Sequence, residues 1–130
     1  MSEFKNALSV SASGLKAQAQ RLRHVSENIA NNDTPGYRRK TVSFETEFGG
    51  SSTPGHVETG RVRLDKSDLA RVFDPSHPLA DDSGHYDGSN VSLVIEIADA
   101  REAQRSYEAN LKMFDQARQM SSSLSELLRR

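Results

Sequence analysis

The residues that come nearest to forming a chemical site are Asp81, Asp82 and His85, which lie close together in the sequence. Carboxylate oxygens and imidazole nitrogens are ligands for several divalent metal ions. The spacing of these three residues matches no metal-binding motif, however, and acidic turns beside a histidine are usually solvated. We therefore interpret the cluster as part of a turn and predict no metal site.

The other histidines offer no better start for catalysis. His24 lies in a long helical pattern, His56 begins an extended segment and His77 precedes a proline. None stands at a recognised spacing from a nucleophile or from a carboxylate that would orient the ring. The chain contains no cysteine, which excludes disulfides and thiolate metal sites. The sequence thus predicts no catalytic residue and no cofactor, and a protein that is not an enzyme.

Composition narrows the class of protein further. The 130 residues are 35% hydrophobic and 6% aromatic and include no tryptophan, so they suit one small domain without a large core. Seventeen basic and eighteen acidic residues give a charge of -1, which disfavours binding to nucleic acid or to an anionic membrane. The first six residues lack the pattern of a signal peptide, and no stretch is long enough to span a bilayer. These features alone predict a cytosolic protein.

A long amphipathic helix is predicted over residues 4–29. Its apolar positions alternate steps of four and three, which is the spacing of a heptad seam, and polar residues lie between them. The small residues of the seam would allow a partner helix to approach closely. The alternative interpretation is a core helix of a small bundle. The seam consists of Leu8, Ala12, Leu15, Ala19, Leu22 and Ile29, with Ser26 at the remaining step.

The helix is predicted to end in a specified turn. Residues 31–33, Asn-Asn-Asp, tolerate the left-handed conformation that ends helices and can hydrogen-bond to their own backbone. Pro35 and Gly36 supply the fixed φ and the positive φ that a type II turn needs at its two central positions. Tyr37 follows as an amphipathic anchor, beside a short basic run at residues 38–40.

The middle of the chain is predicted to be extended. Residues 41–48 alternate apolar and polar side chains as a half-buried strand does, and residues 49–55 form a flexible loop. A second extended run covers residues 57–64, where the apolar side changes across Gly60 as at a bulge. Such a hairpin is marginal alone and must pack on the helices or on a neighbouring subunit. Residues 65–90 are rich in turns and predict no long regular element.

A second long helix is predicted from Val91 to Leu128, capped by Ser89 or Asn90 and free of proline and glycine. Asn110 lies within its seam, where a buried amide commonly fixes register, or else at the edge of that seam. The seam consists of Ala100, Ala103, Tyr107, Asn110, Phe114, Ala117, Ser121, Leu124 and Leu128. The apolar residues that widen this stripe, enough to contact two neighbours, are Leu93, Ile97, Leu111, Met113, Met120 and Leu127.

Together these elements predict a mainly α fold in which two long terminal helices pair as a coiled-coil-like bundle around a small β-hairpin insert. The expected parts are an N-terminal helix over residues 1–33, an extended hairpin and loop insert over 34–89, and a C-terminal helix over 90–130. A lone helix pair would leave the wider stripe of the second helix exposed, so self-association is expected.

Two motifs resemble those of the bacterial flagellar rod, hook and hook-associated proteins. Asn90, Val91, Glu96 and residues 106–110, Ser-Tyr-Glu-Ala-Asn, resemble the C-terminal motif of that family. The N-terminal motif is matched by Asn28, Ile29, Ala30, Asn31, Asp33, Thr34, Pro35, Gly36 and Tyr37. Residues 72–81, followed by Gly84 and Tyr86, are similar to the proximal-rod members, although His85 stands where a plainer Gly-Tyr pair is typical.

The resemblance implies a structural subunit of the proximal rod in the flagellar basal body. Such a subunit self-assembles through its terminal helices into a hollow axial structure that transmits torque through the periplasm. It is exported by the flagellar type III apparatus without a cleavable signal peptide. Its partners are other rod subunits, copies of itself and the membrane-ring junction, and it binds neither nucleic acid nor a small-molecule substrate. The alternative from the residues alone is a cytosolic coiled-coil adaptor that forms a small oligomer.

Overall fold

Two long antiparallel helices dominate the computed structural model, which describes residues 2–46 and 55–129. Helix α1 covers Ser2–Ala30 and helix α2 covers Leu93–Leu128. Gly14 of α1 lies beside Asn110 of α2, and Asn28 near the end of α1 binds Glu96 near the start of α2. The predicted fold class, mainly helical with small strands between two paired helices, is confirmed.

In the described part of the connection between the helices, the strands form three small antiparallel sheets of two strands each. The strands are β1 (Lys40–Thr41), β2 (Phe44–Thr46), β3 (Val57–Thr59), β4 (Arg63–Leu64), β5 (Arg71–Phe73) and β6 (His85–Asp87). The pairs are β1 with β4, β2 with β3, and β5 with β6.

The first four strands form the predicted hairpin, but its first strand is not continuous. Residues 42–43 separate β1 from β2, and the three residues 60–62 lie opposite them between β3 and β4. The N–H of Gly60 donates to the carbonyl of Ser43 at 2.8 Å. The extra residue on the returning side is the predicted bulge, and it explains the change of apolar side there. Residues 47–54, which include most of the predicted loop and Phe48, lie outside the described residues.

The hairpin of β5 and β6 was not predicted, because the connection between its strands is long and full of turn residues. Its pairing aligns Val72 with Tyr86. Arg71 of β5 forms ion pairs with Asp81 in the connection, at 2.7 Å, and with Asp87 of β6, at 3.0 Å. The ring of His77 stacks on Tyr86 with centroids 4.0 Å apart. Ion pairs and ring contacts therefore add to the backbone pairing that holds this segment together.

The covered face of α1 differs from the predicted seam. Its most buried positions are Ser11, Ala17, Val25 and Asn28. In the predicted seam the three leucines are half-buried, whereas the small residues and the last position are exposed. The half-buried positions are Leu8, Leu15 and Leu22, and the exposed ones are Ala12, Ala19, Ser26 and Ile29. The face of α1 that packs on α2 carries the small Gly14 and the polar Asn28. The small residues of the predicted seam and Ile29 therefore lie on an exposed side of the helix, which we call the open flank.

The seam predicted for α2 is its less exposed face. Ala103 is fully buried, and all other predicted positions except Leu128 are half-buried. The half-buried positions are Ala100, Tyr107, Asn110, Phe114, Ala117, Ser121 and Leu124. The residues predicted to widen the stripe are all exposed.

The predicted start of α2 was wrong by two residues. The N-cap is Ser92, whose side chain makes no capping hydrogen bond, and the helix begins at Leu93. Ser89 and Asn90 do not cap the helix because their side chains bind other segments: the Ser89 hydroxyl donates to the carbonyl of Asn32, and Asn90 binds the insert.

Candidate functional site

Asn28 is the centre of a polar network between the helices and the insert. Its side chain is 1% exposed. Its Oδ1 accepts hydrogen bonds from the Tyr37 hydroxyl at 2.8 Å and from the Lys40 N–H at 2.9 Å. Its Nδ2 donates to the Lys40 carbonyl at 2.9 Å and to Glu96 Oε2 at 3.3 Å. A side-chain amide offers both N–H donors and a carbonyl acceptor. Asn28 therefore binds both the N–H and the carbonyl of Lys40, as a paired β-strand would.

The turn after α1 has the predicted type II form. The Tyr37 N–H donates to the Thr34 carbonyl at 3.2 Å, and Gly36 has a φ of 74°. The Gly36 N–H also donates to the Gly88 carbonyl at 3.0 Å, which ties the turn to the segment before α2. The helix stops where residues 31–33 were predicted to end it, but no described residue other than glycine has a positive φ, so the left-handed conformation is not used. The helix ends instead in tightened turns, and the Asn31 Nδ2 donates to the Glu27 carbonyl at 2.9 Å.

Glu96 is fully buried and receives its compensating charge from the insert. The Arg39 Nε donates to Glu96 Oε1, and the Arg39 Nη2 donates to Asp99 one turn along α2. A buried carboxylate without such a partner would be strongly unfavourable. Burial lowers the pKa of Arg39, but the hydrogen bond and charge of Glu96, aided by Asp99, outweigh it and raise that pKa above its ordinary value.

Asn90 joins the same network from the other end of the insert. Its Oδ1 accepts from the Arg39 N–H at 2.6 Å, and its Nδ2 donates to the Asp65 carbonyl at 2.9 Å. The Asp65 N–H in turn donates to the Arg39 carbonyl at 2.8 Å. Asn90 therefore binds the insert at two places, at Arg39 and at Asp65, where both segments pass the start of α2.

We call Asn28, Tyr37, Arg39, Asn90 and Glu96 the helix junction. Each member binds another member or a backbone group beside it, so the arrangement is suited to holding two helices and an insert in a fixed relation. Burial raises the pKa of the Tyr37 hydroxyl, which therefore stays neutral and donates to Asn28.

An ion pair borders the helix junction. Lys40 Nζ lies 2.9 Å from Glu27 Oε2, and its hydrogen bond lowers the pKa of Glu27. Residues 38–40 were predicted only to be a basic run, and the role of Arg39 was not predicted. Glu96 could have indicated that a basic partner such as Arg39 is needed, because it is an acidic residue flanked by apolar residues on a helix face that must be covered.

The rest of the N-terminal motif divides between internal contacts and solvent. Asn31 accepts a hydrogen bond from the Thr34 hydroxyl at 3.0 Å. The remaining motif positions are exposed, namely Ile29, Ala30, Asp33 and Pro35. In the C-terminal motif, Asn110 lies against Gly14 and donates to the Ser106 carbonyl at 3.0 Å. This places Asn110 within the contact between the helices.

The acidic cluster first considered as a metal site is engaged as a turn. Asp81 Oδ1 accepts from the Ser83 hydroxyl at 2.6 Å, the Ser83 N–H at 2.9 Å and the His85 N–H at 3.1 Å. Hydrogen bonds from Ser83 and from Arg71 hold the pKa of Asp81 well below its usual range. Among residues 2–46 and 55–129, no group of three or more potential ligands is placed to hold a metal ion. Nor does either helix, within the same residues, have the length and apolar character needed to cross a membrane.

Two family models match the two ends of the chain, and each matched range contains part of the helix junction. The family model described as "Flagella basal body rod protein" matches residues 8–38, which contain Asn28 and Tyr37. The model described as "Flagellar basal body rod FlgEFG protein C-terminal" matches residues 82–127, which contain Asn90 and Glu96. The two matched regions meet in space at the helix junction.

Curated relatives extend the match to nearly the whole chain. A protein of Agrobacterium fabrum named "Flagellar basal-body rod protein FlgC" is 43% identical over 136 aligned positions, covering 99% of this chain and 98% of the relative. Proteins of the same name are 35% identical in Bacillus subtilis, over 82% of this chain and 85% of the relative, and 31% identical in Salmonella typhimurium, over 88% and 90%. The chain therefore belongs to the FlgC family of flagellar basal-body rod proteins and is a structural subunit of the rod.

Proposed function

We propose that this subunit builds the proximal part of the rod by burying the open faces of its two helices against neighbouring subunits. The observation that supports this is the number of large apolar side chains that α2 leaves exposed. Val94 is 79% exposed, Met120 is 58% exposed and Leu127 is 66% exposed. Exposed apolar surface of this extent is typical of an interface. The open flank of α1 offers a second such surface, lined by small residues that permit close helix packing.

In this proposal the two helices form the axial core and the insert forms an outer part. Residues 1–33 and 90–130 line a hollow structure, and residues 34–89 connect and brace them. The residues that enter the assembly interface are those of the α1 seam, from Leu8 to Ile29, together with the exposed apolar residues of α2. The α2 seam, from Ala100 to Leu128, pairs mainly with α1 of the same chain, as the contact of Asn110 with Gly14 supports. Torque passes through such a rod only if each subunit resists twisting, and the helix junction supports that stiffness because it ties α1, α2 and the insert with charged and amide hydrogen bonds.

The place and partners of the subunit follow from the same proposal. It is exported by the flagellar type III apparatus without a cleavable signal peptide and lies in the part of the basal body that spans the periplasm. Its partners are other rod subunits, copies of itself and the protein that joins the rod to the membrane ring. It works without a cofactor and carries out no catalysis, because its role is mechanical.

Extraction of basal bodies with detergent tests this proposal. An immunoblot of purified basal bodies should contain the protein, and Leu22→Asp should remove it, because a charge would enter an assembled helix contact at a cost of several kcal/mol. The alternative adaptor would instead remain in the cytosolic fraction as a discrete small oligomer. Recovery of the protein only in that fraction, or normal incorporation of Leu22→Asp, would contradict the proposal.

A further inference from the structure

The open flank of α1 is bordered by a row of exposed basic residues. These are Lys5, Lys16 and Arg23. They are separated by eleven and then seven residues. Both separations are close to whole numbers of helical turns, so the three side chains lie along one side of the helix. Arg23 has only an exposed contact of 3.6 Å with Glu27 of its own helix.

Helix α2 carries an exposed acidic row with the same spacing in reverse. Glu108, Asp115 and Glu126 are separated by seven and then eleven residues. The row runs beside Leu111, which is 41% exposed and is three residues from Glu108 and four from Asp115. Asp115 has only a contact of 3.9 Å with Arg118, also exposed. The acidic row therefore borders Leu111 on α2, as the basic row borders the open flank of α1.

The two rows match when the helices run antiparallel. Lys5 then lies level with Glu126, Lys16 with Asp115 and Arg23 with Glu108, all in one register. When two helices pack antiparallel, the residues on the same side of each contact face, in the same rotational sense about each helix axis, come together. The basic row lies on that side of the open flank of α1, and the acidic row lies on that side of Leu111 on α2. In this register no exposed charge of α1 lies level with a like charge of α2. Leu111 lies level with the space between Ala19 and Leu22 on α1, and the small side chain of Ala19 leaves room for it.

A single chain cannot make this contact with itself. In the folded chain Gly14 lies beside Asn110 and Asn28 binds Glu96. That register places Lys16 level with Glu108 and Arg23 level with Arg101. The charge-matched register is displaced from it by seven residues, which is one heptad. The acidic row must therefore come from another molecule.

We propose that α2 of a second copy packs antiparallel on the open flank of α1, one heptad out of the intrachain register, with the basic and acidic rows paired. The inference rests on the proposed self-assembly and specifies which surfaces meet. Each copy uses α1 to receive one neighbour and offers its own α2 to another. Because the contact joins two different surfaces, it can repeat from one subunit to the next and so build a ring or a helical filament.

Charge reversal tests the pairing in the assembled rod. Lys16→Glu and Asp115→Lys should each reduce the amount of protein in purified basal bodies by about tenfold, because an attraction becomes a repulsion. The double variant restores opposite charges and should return incorporation to near the wild-type level. Co-expression of the two single variants should also raise incorporation, since the reversed α1 of one molecule fits the reversed α2 of the other.

Arg105→Glu is the matched control, because it reverses an exposed charge of α2 that faces no charge of α1 in this register, and it should leave incorporation unchanged. Normal incorporation of both single variants, or no recovery in the double variant and in the mixture, would overturn the inference. Absence of the wild-type protein from basal bodies would instead overturn the proposed function, so the two failures are distinguishable.

Discussion

Gly14 of α1 lies directly against the side-chain amide of Asn110 of α2. A Cβ on residue 14 would stand 3.0 Å from Asn110 Oδ1 and 3.1 Å from both Cγ and Nδ2. The amide cannot move away freely, because its Nδ2 donates to the Ser106 carbonyl at 3.0 Å. The close approach therefore depends on the missing side chain of a glycine.

Gly14→Ala is expected to destabilise the helix pair, although alanine favours an isolated helix by about 1 kcal/mol over glycine. The reason is that the new methyl group displaces the Asn110 amide. In an Asn110→Ala background the same substitution should stabilise by about 1 kcal/mol, since the obstacle is gone. Urea unfolding followed by circular dichroism gives both values. The same stabilisation in both backgrounds would show that the contact does not constrain the helices.

Gly36→Val is expected to destabilise the turn by about 1 to 2 kcal/mol, because a β-branched residue resists the positive φ of 74° found there. The cost is purely one of backbone conformation, since a Cβ would meet no atom within 4 Å. Gly36→Asn is the matched control, because asparagine tolerates this conformation better, and it should cost clearly less. Equal unfolding free energies for the two variants would contradict the importance of the turn geometry.

Arg39→Met is expected to cost about 3 to 5 kcal/mol, because it leaves the buried Glu96 carboxylate without its charged partner. Arg39→Met combined with Glu96→Met removes both charges and should recover most of that loss. A double-mutant cycle on unfolding free energies measures the coupling. Additive losses would mean that Arg39 and Glu96 do not stabilise each other.

The hairpin of β5 and β6 is expected to keep its structure from pH 8 to pH 5 and to loosen in stronger acid. The pKa of Asp81 is lowered in the folded chain by Ser83 and Arg71, so its contribution is fully present above the ordinary aspartate value of about 3.9. That contribution is lost as the pH falls from there through the lowered pKa. An NMR titration of the His85 amide should follow this change, and Asp81→Asn should abolish it. A His85 amide that does not change below about pH 4 in the unmodified protein would contradict this assignment.

The periodicity of the sequence was enough to predict both helices and the bulged hairpin. Heptad spacing identifies a helix, and alternation identifies a strand, because each pattern has its own period. The face of α1 that meets α2 was not predicted, since the leucines define an apolar stripe whereas the inward face carries the small Gly14 and the polar Asn28. Where the apolar residues are few and the buried groups are polar, hydrophobic period alone does not settle rotation about the helix axis.

The members of the helix junction could be predicted from the sequence except for Arg39. Asn28, Tyr37, Asn90 and Glu96 stood out as parts of two motifs at opposite ends of the sequence. Arg39 did not, because its role depends on a strand that brings it to Glu96 across 57 residues of sequence. The hairpin of β5 and β6 was missed since it depends on ion pairs and ring contacts and has no alternating apolar pattern.

The central claim is that the open faces of the terminal helices become buried in the rod, and the reactivity of one cysteine tests it most directly. The chain has no cysteine of its own, so Ala19→Cys introduces a single thiol on the exposed flank of α1. A maleimide should label this thiol rapidly in the free subunit, only slowly in intact purified basal bodies, and rapidly again after the basal bodies are unfolded. Equally rapid labelling of free subunits and intact basal bodies would contradict the account.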